Sequence, residues 1–223
     1  MAKIQTVSKC RKEQRCGKCG KTIEVGSPYV YAEPAFRAKI VRCTTCGLKP
    51  YETSSSEFIQ TIGALQDKWQ EEYTGDTAAE DIASTLEELR DQAQDSLDNM
   101  PEQLQYSESG ELLQERIDSL EDAISELEGI DIDDIKQEVI RRIEATINFE
   151  EFKKYYTDID EEDYTVDEDG NIEVTLDDLP GDEDFDAIMD LDFIDGDVKD
   201  EMQSDFDDEL SSQIETILED ISY

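Results

Sequence analysis

The chain has 223 residues, of which 37% are apolar and 36% are charged, enough for one domain with extensions or for two small domains. Its 60 acidic and 20 basic residues give a formal net charge of −40. The sequence contains no histidine, which excludes Ser–His and Cys–His catalytic pairs, and it shows no P-loop, no GxSxG and no GxGxxG motif. We therefore expect a binding protein and not an enzyme.

The charge is distributed unevenly along the chain. Residues 1–50 hold 11 Lys/Arg and 3 Asp/Glu, a net charge of +8, whereas residues 51–223 hold 9 and 57, a net charge of −48. A uniform acidic excess would be typical of a salt-adapted host. A cationic head on an anionic body instead indicates two surfaces with different partners.

All five cysteines lie within the first 46 residues, and four of them have CxxC spacing. This pattern indicates a metal site in a reducing compartment and not a disulfide framework. The segment from Met1 to Lys12 has no apolar core typical of a signal peptide, and no stretch approaches the roughly 18 apolar residues of a membrane span. We expect a soluble protein of the cytoplasm that has no membrane partner.

The strongest motif is a pair of CxxCG elements, Cys16 to Gly20 and Cys43 to Gly47. Four thiolates suit a tetrahedral zinc ion, and a glycine after each pair fits a tight turn. We predict one structural zinc ion that is closed to substrate. It would replace the hydrophobic core that so short an N-terminal segment cannot build. The predicted ligands are Cys16, Cys19, Cys43 and Cys46. Cys10 is an alternative ligand that would replace one of them, or else a free thiol.

Short strands are predicted between the two CxxC pairs. The segments Ile23–Val25 and Tyr29–Ala32 flank a Gly-Ser-Pro turn and predict a β-hairpin. A further strand, Arg37–Arg42, leads into the second pair.

Basic and aromatic side chains are interleaved through this head, which favours nucleic-acid binding, because cations bind phosphates and aromatic rings stack on bases. The candidate residues are Lys9, Arg11, Lys12, Arg15, Lys18, Lys21, Tyr29, Tyr31, Arg37, Lys39 and Arg42, with Phe36 as a further aromatic. Three alternatives stay open. The cations would offset the net negative charge of a four-thiolate zinc site, the aromatics would cover the hairpin, or the head would dock on the acidic body of the same chain.

Apolar residues recur at helical spacing after Pro50, which predicts four amphipathic helices. Their apolar positions are Phe58, Ile62, Leu65, Trp69 and Tyr73; Ile82, Leu86, Leu89, Ala93 and Leu97; Leu113, Ile117, Leu120, Ile124 and Leu127; and Ile135, Val139, Ile143 and Ile147. Met100-Pro101 should end the second helix and Gly129 the third. Each of these rows of apolar residues, which we call seams, spans about two heptads. That length favours a bundle or helical hairpins over a long coiled coil that forms a homodimer.

The last third of the chain is strongly acidic, with 28 acidic residues and one lysine from Thr157 to Tyr223. Two apolar segments around an Asp-Gly turn predict a β-hairpin over residues 164–176. A helix is predicted over residues 198–222, with an apolar face for a partner helix or for the body of the chain itself. That face consists of Val198, Met202, Phe206, Leu210, Ile214 and Leu218, followed by Ile221.

The other faces of this terminal helix carry a row of carboxylates. Residues 200–220 hold 9 acids. At a rise of about 1.5 Å per residue, that is one charge per ~3.5 Å, about half the charge density of duplex DNA. Two such helices side by side would approach it. This row of carboxylates has two alternative interpretations: it mimics DNA, or it is an acidic face that is simply solvated.

The head resembles zinc-finger proteins of tailed bacteriophages, notably those infecting actinobacteria. The resemblance rests on the run from Ser8 to Lys12, on both CxxC pairs with Ile23, Gly26 and Pro28-Tyr29, and on the helical segments 98–105 and 110–117. It covers roughly residues 1–130 and implies a phage protein in the host cytoplasm. The spacing of the first CxxC pair, Ile23 and Gly26 is also similar to the start of a PARP-type finger. That pattern ends in His and Cys, whereas this chain ends in CxxC.

The sequence thus predicts an α-rich protein with a small N-terminal zinc β-ribbon, helical hairpins or a bundle, and an acidic C-terminal α+β extension. The predicted segments are 1–52 (cationic ribbon), 53–148 (amphipathic helices) and 149–223 (acidic region). The leading hypothesis is an accessory or adaptor protein whose head binds nucleic acid or a nucleoprotein partner, while its acidic body binds a basic protein surface. The alternatives are an acidic DNA mimic that inhibits a host nucleic-acid-binding or defence protein, and a helical assembly protein.

Overall fold

The computed structural model describes residues 2–35, 37–157, 159, 164–180 and 184–221. These residues form α-helices and small antiparallel sheets, which confirms the predicted α-rich fold with an N-terminal ribbon. The chain divides into two compact units, which we call the ribbon unit (Met1–Thr74, Asp81–Ile124 and Leu218–Tyr223) and the C-terminal unit (Gly75–Glu80 and Ser125–Ile217). The division between units falls neither at residue 52 nor at residue 148.

The ribbon contains five short strands in two sheets. Strands β1 (Gln5–Val7), β4 (Tyr29–Ala32) and β5 (Ile40–Cys43) form one antiparallel sheet in the order β1-β4-β5, in which Tyr29 pairs with Cys43 and Ala32 with Ile40. Strands β2 (Gln14–Arg15) and β3 (Thr22–Ile23) form a separate antiparallel pair. The predicted strand before the second CxxC pair is therefore present as β5.

The predicted hairpin between Ile23–Val25 and Tyr29–Ala32 is wrong, because β3 and β4 lie in different sheets. The turn between them pairs with another segment of the ribbon. The N–H of Gly26 donates to the carbonyl of Cys10 (2.8 Å), and the N–H of Cys10 donates to the carbonyl of Ser27 (2.8 Å). These two bonds hold the turn against Cys10 and direct β4 toward β1 and β5.

Helices follow the ribbon along the chain, and their residues 78–80 and 125–128 belong to the C-terminal unit. Helix α1 (Glu57–Lys68) continues into a 3₁₀ turn at Trp69–Glu71, and helices α2 (Ala78–Asp98), α3 (Glu102–Gln105) and α4 (Glu108–Glu128) follow. As predicted, α2 ends just before Met100-Pro101 and α4 just before Gly129. Many predicted seam residues are buried within the chain: Phe58, Ile62, Leu65, Trp69, Ile82, Leu86, Leu89, Ala93, Ile117, Leu120, Ile124 and Leu127. This burial matches helices that pack within a bundle.

The fourth predicted helix ends earlier than its apolar spacing indicates. Helix α5 (Ile132–Arg142) stops before Ile143, and strand β6 (Glu144–Asn148) contains Ile147. Residues of β6 alternate between exposed and buried, with Ala145 and Ile147 on the buried face. Because a spacing of four residues fits both one helical face and alternate inward positions of a strand, the placement of Ile143 and Ile147 in a helix was wrong.

The predicted hairpin over residues 164–176 is also wrong, although its turn is present. Strand β7 (Asn171–Thr175) pairs antiparallel with β6, and residues 164–166 are not in a strand. Asp167 closes the turn, because its Oδ1 accepts from the N–H groups of Asp169 (2.9 Å) and Asn171 (2.8 Å), and Gly170 has a φ of 85°. The apolar face of β7 is buried through Ile172 and Val174.

Three further helices belong to the acidic region. Helix α6 (Phe149–Tyr155) is capped by Asn148, helix α7 (Phe185–Asp190) is capped by Asp184, and helix α8 (Gly196–Glu219) confirms the predicted terminal helix. In the C-terminal unit, Lys136 of α5 contacts Asp76 and Asp186 and lies over the rings of Phe185 and Phe206.

Candidate metal centre and cationic surfaces

The four predicted metal ligands come together at one end of the ribbon. The sulfur atoms of Cys16, Cys19, Cys43 and Cys46 all lie within 4.8 Å of one another, and Sγ of Cys19 is 3.9 Å from Sγ of Cys43. A tetrahedral zinc ion with Zn–S distances of about 2.3 Å would place its sulfur ligands ~3.8 Å apart. The cluster therefore has the size that one tetrahedral metal ion requires, and the four cysteines can hold such an ion.

The two CxxCG elements adopt equivalent turns. The N–H of Gly20 donates to the carbonyl of Cys16 (3.0 Å), and the N–H of Gly47 donates to the carbonyl of Cys43 (3.0 Å). Both glycines have positive φ, 73° and 62°, a conformation that glycine adopts at no steric cost. The N–H of Cys46 also points at Sγ of Cys43 (3.4 Å). Each turn thus directs both of its sulfur atoms toward a common centre.

The electrostatics of the cluster favour a cation at its centre. Burial raises the pKa of Cys16, but backbone N–H groups of neighbouring residues, Cys19 first, lower it to a net value of about 6. The N–H of Cys46 likewise lowers the pKa of Cys43. The crowded side chains of Cys19 and Cys43 instead raise the pKa of Cys46 to about 12. Thiolates this close together repel one another, so four of them require a compensating cation.

Cys10 lies outside the cluster of ligand atoms. Its side chain is only 3% exposed, and its thiol donates to the carbonyl of Lys12 (2.6 Å). It packs with Cys16, Ile23, Tyr29 and Cys43 in the small core of the ribbon. In this arrangement Cys10 is a core residue and does not replace any of the four ligands.

Six predicted nucleic-acid-binding cations remain available on the surface. They surround the first CxxC pair and are all exposed: Lys9, Arg11, Lys12, Arg15, Lys18 and Lys21. Among the described residues of the ribbon unit, none of the six has an ion-pair partner within 4.0 Å. Arg15 is held in place by a hydrogen bond from its Nε to the carbonyl of Gly20 (3.0 Å). These side chains form what we call the knuckle surface.

The other three predicted cations have partners within the ribbon unit. Nζ of Lys39 lies 3.1 Å from Glu33 and 3.6 Å from the centre of the Tyr31 ring. Arg37 donates to the carbonyl of Ser54 (2.6 Å), and Arg42 lies 3.5 Å from Glu52. These cations line a separate cleft between β5 and α1, which we call the β5–α1 cleft. No sequence pattern indicates the other residues that line this cleft, such as Glu52, because only the fold brings them next to β5.

The predicted aromatic residues are less available than the cations of the knuckle surface. Tyr29 is 7% exposed and lies in the ribbon core, so its ring is not free to stack on a base. Tyr31 is half-buried beneath Lys39, and its hydroxyl donates to Gln5 (2.7 Å). Phe36 lies outside the described residues. Tyr29 and Tyr31 thus match the alternative in which the aromatics cover the ribbon.

The apolar face of the terminal helix is used within the chain. The predicted partner-facing residues Met202, Phe206, Leu210, Ile214 and Leu218 are each at most 3% exposed, and Val198 is half-buried. In the C-terminal unit, the ring of Phe206 lies 5.7 Å from that of Phe185. The face is therefore part of the core in this conformation and does not offer a groove-binding surface.

Across the described residues, no helix combines the length and the apolar character that crossing a membrane requires.

No protein-family model matches the sequence, and no curated protein or solved structure gives a significant match.

Proposed function

We propose that this chain is a zinc-binding accessory protein that contacts nucleic acid through its ribbon. The metal would be one zinc ion held by Cys16, Cys19, Cys43 and Cys46. Soft thiolate ligands in a compact tetrahedral set select zinc over the harder divalent cations. With all four positions filled by sulfur, no open position is left for substrate, which supports a role in binding and not in catalysis.

The observation that carries the nucleic-acid proposal is the knuckle surface. Six exposed cations lie within residues 9–21, in a chain whose net charge is −40, and they lack ion-pair partners among the described residues of their own unit. A chain with this excess of carboxylates offers many partners for a cation that serves only local stability. Unpaired and clustered cations are instead what a phosphate backbone neutralises on binding.

The direct test measures binding of the full-length, zinc-loaded chain to labelled single- and double-stranded DNA and RNA by fluorescence anisotropy, over a series of salt concentrations. We expect affinity to fall with salt, and the double variant Lys18→Gln/Lys21→Gln to flatten the slope by about 0.7 per lost phosphate contact on a single strand. Lys154→Gln, which removes an exposed lysine outside the ribbon, is the matched control. An unchanged slope in the double variant would contradict the proposal.

The setting that we propose follows from the resemblance of the two CxxC elements and the helical segments to phage zinc-finger proteins. In that setting the protein is phage-encoded and acts in the host cytoplasm. The partner would then be nucleic acid or a nucleoprotein assembly of the infected cell. Capture of such an assembly during infection, lost in the Lys18→Gln/Lys21→Gln variant, would support this setting.

A second candidate function is mimicry of DNA by the acidic surface. It is supported by the burial of the apolar stripe of α8, since a packed helix holds its exposed carboxylates at fixed spacing. The exposed acids of this helix include Asp200, Glu201, Asp207, Asp208 and Glu215. A mimic would bind a basic protein, be displaced by DNA, and lose binding when Asp207 and Asp208 become Asn. Binding that instead depends on Lys18 and Lys21 would favour the first function.

The third hypothesis, a homodimer formed through the helices, has less support from the packing. The seam residues that would face a second copy, such as Leu86, Leu120 and Leu210, are buried within the chain. Light scattering of the full chain tests this hypothesis directly. A mass equal to that of a dimer at every protein concentration would support it.

A further inference from the structure

The ribbon unit contains a cleft that neither the metal centre nor the knuckle surface explains. It lies between β5 and α1, has a volume of about 620 Å³, and falls in the size range of small-ligand sites. Arg15, Arg37, Lys39, Arg42, Glu52 and Gln60 are among its lining residues. All of them belong to the ribbon unit.

The charge of this cleft is opposite to that of the chain. Four cations line it, Arg15, Arg37, Lys39 and Arg42, against the single carboxylate of Glu52. The chain as a whole has three acidic residues for every basic one. Several cations in one concave site raise its potential and attract anions into it.

Arg42 is incompletely hydrogen-bonded inside this cleft. Its side chain is 17% exposed, and among the described residues its buried Nε has no hydrogen-bond partner. Its remaining contacts are long, 3.4 Å from Nη1 to the carbonyl of Val41 and 3.5 Å from Nη2 to Glu52. An unsatisfied buried donor is destabilising, so the contacts that Arg42 makes within the chain do not satisfy this guanidinium. An anion in the cleft would give Nη1 and Nη2 of Arg42 closer acceptors than these two.

Arg37 lines the same cleft, and a hydrogen bond within the ribbon unit fixes the orientation of its side chain. Its Nη1 donates to the carbonyl of Ser54 (2.6 Å), which fixes one of its five N–H donors and leaves the others free to contact a ligand. An arginine fork matches the oxygen atoms of a phosphate group with two parallel hydrogen bonds.

We infer that the β5–α1 cleft binds a phosphate group, namely one phosphodiester of a nucleic-acid strand that also contacts the knuckle surface. The inference rests on the proposed function, since it names a specific anchoring point for the same ligand. Arg42 and Arg37 donate to the phosphate oxygens, and Arg15, which belongs to both surfaces, connects the cleft with the first knuckle.

Glu52 limits the affinity of this site. Its Oε2 accepts from the N–H of Lys49 (2.8 Å), and its Oε1 is the carboxylate oxygen nearest to Arg42. A phosphate that enters must compete with this carboxylate for Arg42 and is repelled by its charge. Glutamine at this position keeps an oxygen that can accept from Lys49 and removes the charge. Glu52→Gln should therefore tighten phosphate binding several-fold, whereas loss of a merely structural ion pair would not.

The test compares four variants of the full-length, zinc-loaded chain for binding of a labelled single-stranded oligonucleotide: Arg37→Gln, Arg42→Gln, Glu52→Gln and Lys154→Gln. We expect Arg37→Gln and Arg42→Gln to weaken binding about tenfold, Glu52→Gln to strengthen it, and Lys154→Gln to leave it unchanged. Arg37 is exposed, so its substitution leaves the fold intact even if Arg42→Gln destabilises the ribbon. Zinc content and circular dichroism of each variant check the fold.

Inorganic phosphate and a nucleoside monophosphate serve as competing probes. If the site takes a phosphate group, both should shift the NMR signals of the Arg37 and Arg42 side chains at millimolar concentration, and the oligonucleotide should shift the same signals at much lower concentration. If the probes shift them but the oligonucleotide does not, the site takes a free phosphate compound and the nucleic-acid part of the inference is wrong.

The inference and the proposed function fail in different ways. Undiminished strand binding in both Arg37→Gln and Arg42→Gln, together with reduced binding in Lys18→Gln/Lys21→Gln, would overturn the inference and leave the proposed function standing. Absence of strand binding by the wild-type chain would overturn the proposed function and, with it, the assignment of the cleft to a nucleic-acid phosphodiester.

Discussion

Gly17, inside the first CxxC element, lies directly against the guanidinium of Arg42, which precedes the second. A Cβ atom at Gly17 would come within 2.6 Å of Nη1 of Arg42. The N–H of Gly17 also donates to the carbonyl of Val41 (2.9 Å). Gly17 thus connects the two metal-binding turns through this hydrogen bond. Because it has no side chain, it also leaves space for Arg42 to reach the β5–α1 cleft.

This contact predicts that Gly17→Ala displaces Arg42 without loss of the metal. Gly17 does not have positive φ, and the displaced atom is the end of a flexible side chain, so we expect a loss in stability of under about 1 kcal/mol. Affinity for a nucleic-acid strand should fall several-fold, because the guanidinium moves. Gly196→Ala, where a Cβ would meet nothing within 4 Å, is the matched control. If Gly17→Ala binds the strand as tightly as the wild type does, Arg42 takes no part in ligand binding.

The five cysteines should differ in their effect on metal binding. Cys19→Ser removes a predicted ligand and should lower zinc affinity at least tenfold, as measured by competition with a chromogenic chelator. Cys10→Ser should keep one zinc ion per chain, since the Cys10 thiol points at the carbonyl of Lys12. It should cost about 1 kcal/mol of stability because a buried apolar contact is weakened. Equal loss of zinc in both variants would show that Cys10 contributes to the site.

The parts of the fold that follow from local patterns were predicted from sequence. Helices α1, α2, α4 and α8 carry apolar residues at a spacing that only one helical face satisfies over several turns, and Pro101 and Gly129 mark two of their ends. The metal ligands were predicted because each CxxC spacing places two sulfur atoms in one turn, and two such pairs suit a tetrahedral metal ion.

The parts that depend on long-range pairing were not predicted. Ile143 and Ile147 fit a helix as well as a strand, and only β7, which pairs with β6 in the C-terminal unit, decides for the strand. The turn at Gly26 looked like a hairpin turn, but its N–H bonds to Cys10, sixteen residues earlier. The β5–α1 cleft has no sequence signature at all, because Arg42, Glu52 and Gln60 meet only in the folded unit.

Tyr51 provides a prediction for alkaline pH. Burial and, after it, the adjacent Asp67 carboxylate raise the pKa of Tyr51, whose hydroxyl donates to Asp67 (3.0 Å). The contribution of this tyrosine to stability is fully present below its unfolded pKa of about 10 and is lost as pH rises through the higher folded value. Tyr51→Phe should cost about 1 kcal/mol at neutral pH, the scale of one hydrogen bond.

The difference in unfolding free energy between wild type and Tyr51→Phe should therefore shrink above pH ~10. Urea titrations followed by Trp69 fluorescence measure it, since Trp69 is buried in the same unit. A difference that stays constant up to pH ~11 would show that the Tyr51 pKa is not raised by Asp67 and burial.

Lys136 is predicted to stabilise the C-terminal unit through its methylene stem as well as its charge. Its side chain is 12% exposed, and Nζ lies 2.7 Å from Asp76 and about 6 Å from the rings of Phe185 and Phe206. Because Asp76 and Asp186 are exposed and the ion pairs are screened, we expect Lys136→Met to cost about 1 kcal/mol or less. Lys136→Ala, which also removes the stem, should cost about 2 kcal/mol.

Chemical denaturation of both variants separates the two contributions, with Lys154→Ala as an exposed control. If Lys136→Met destabilises the unit as much as Lys136→Ala, charge pairing and not packing is the main contribution of this residue.

The proposed function depends first on one zinc ion that Cys16, Cys19, Cys43 and Cys46 would hold. The most direct measurement is zinc K-edge X-ray absorption on the protein as purified, together with its metal content. We predict one zinc ion per chain, coordinated by four sulfur atoms at about 2.3 Å, with no oxygen or nitrogen ligand. Protein without stoichiometric metal, or a spectrum with fewer than four sulfur ligands, would contradict the claim.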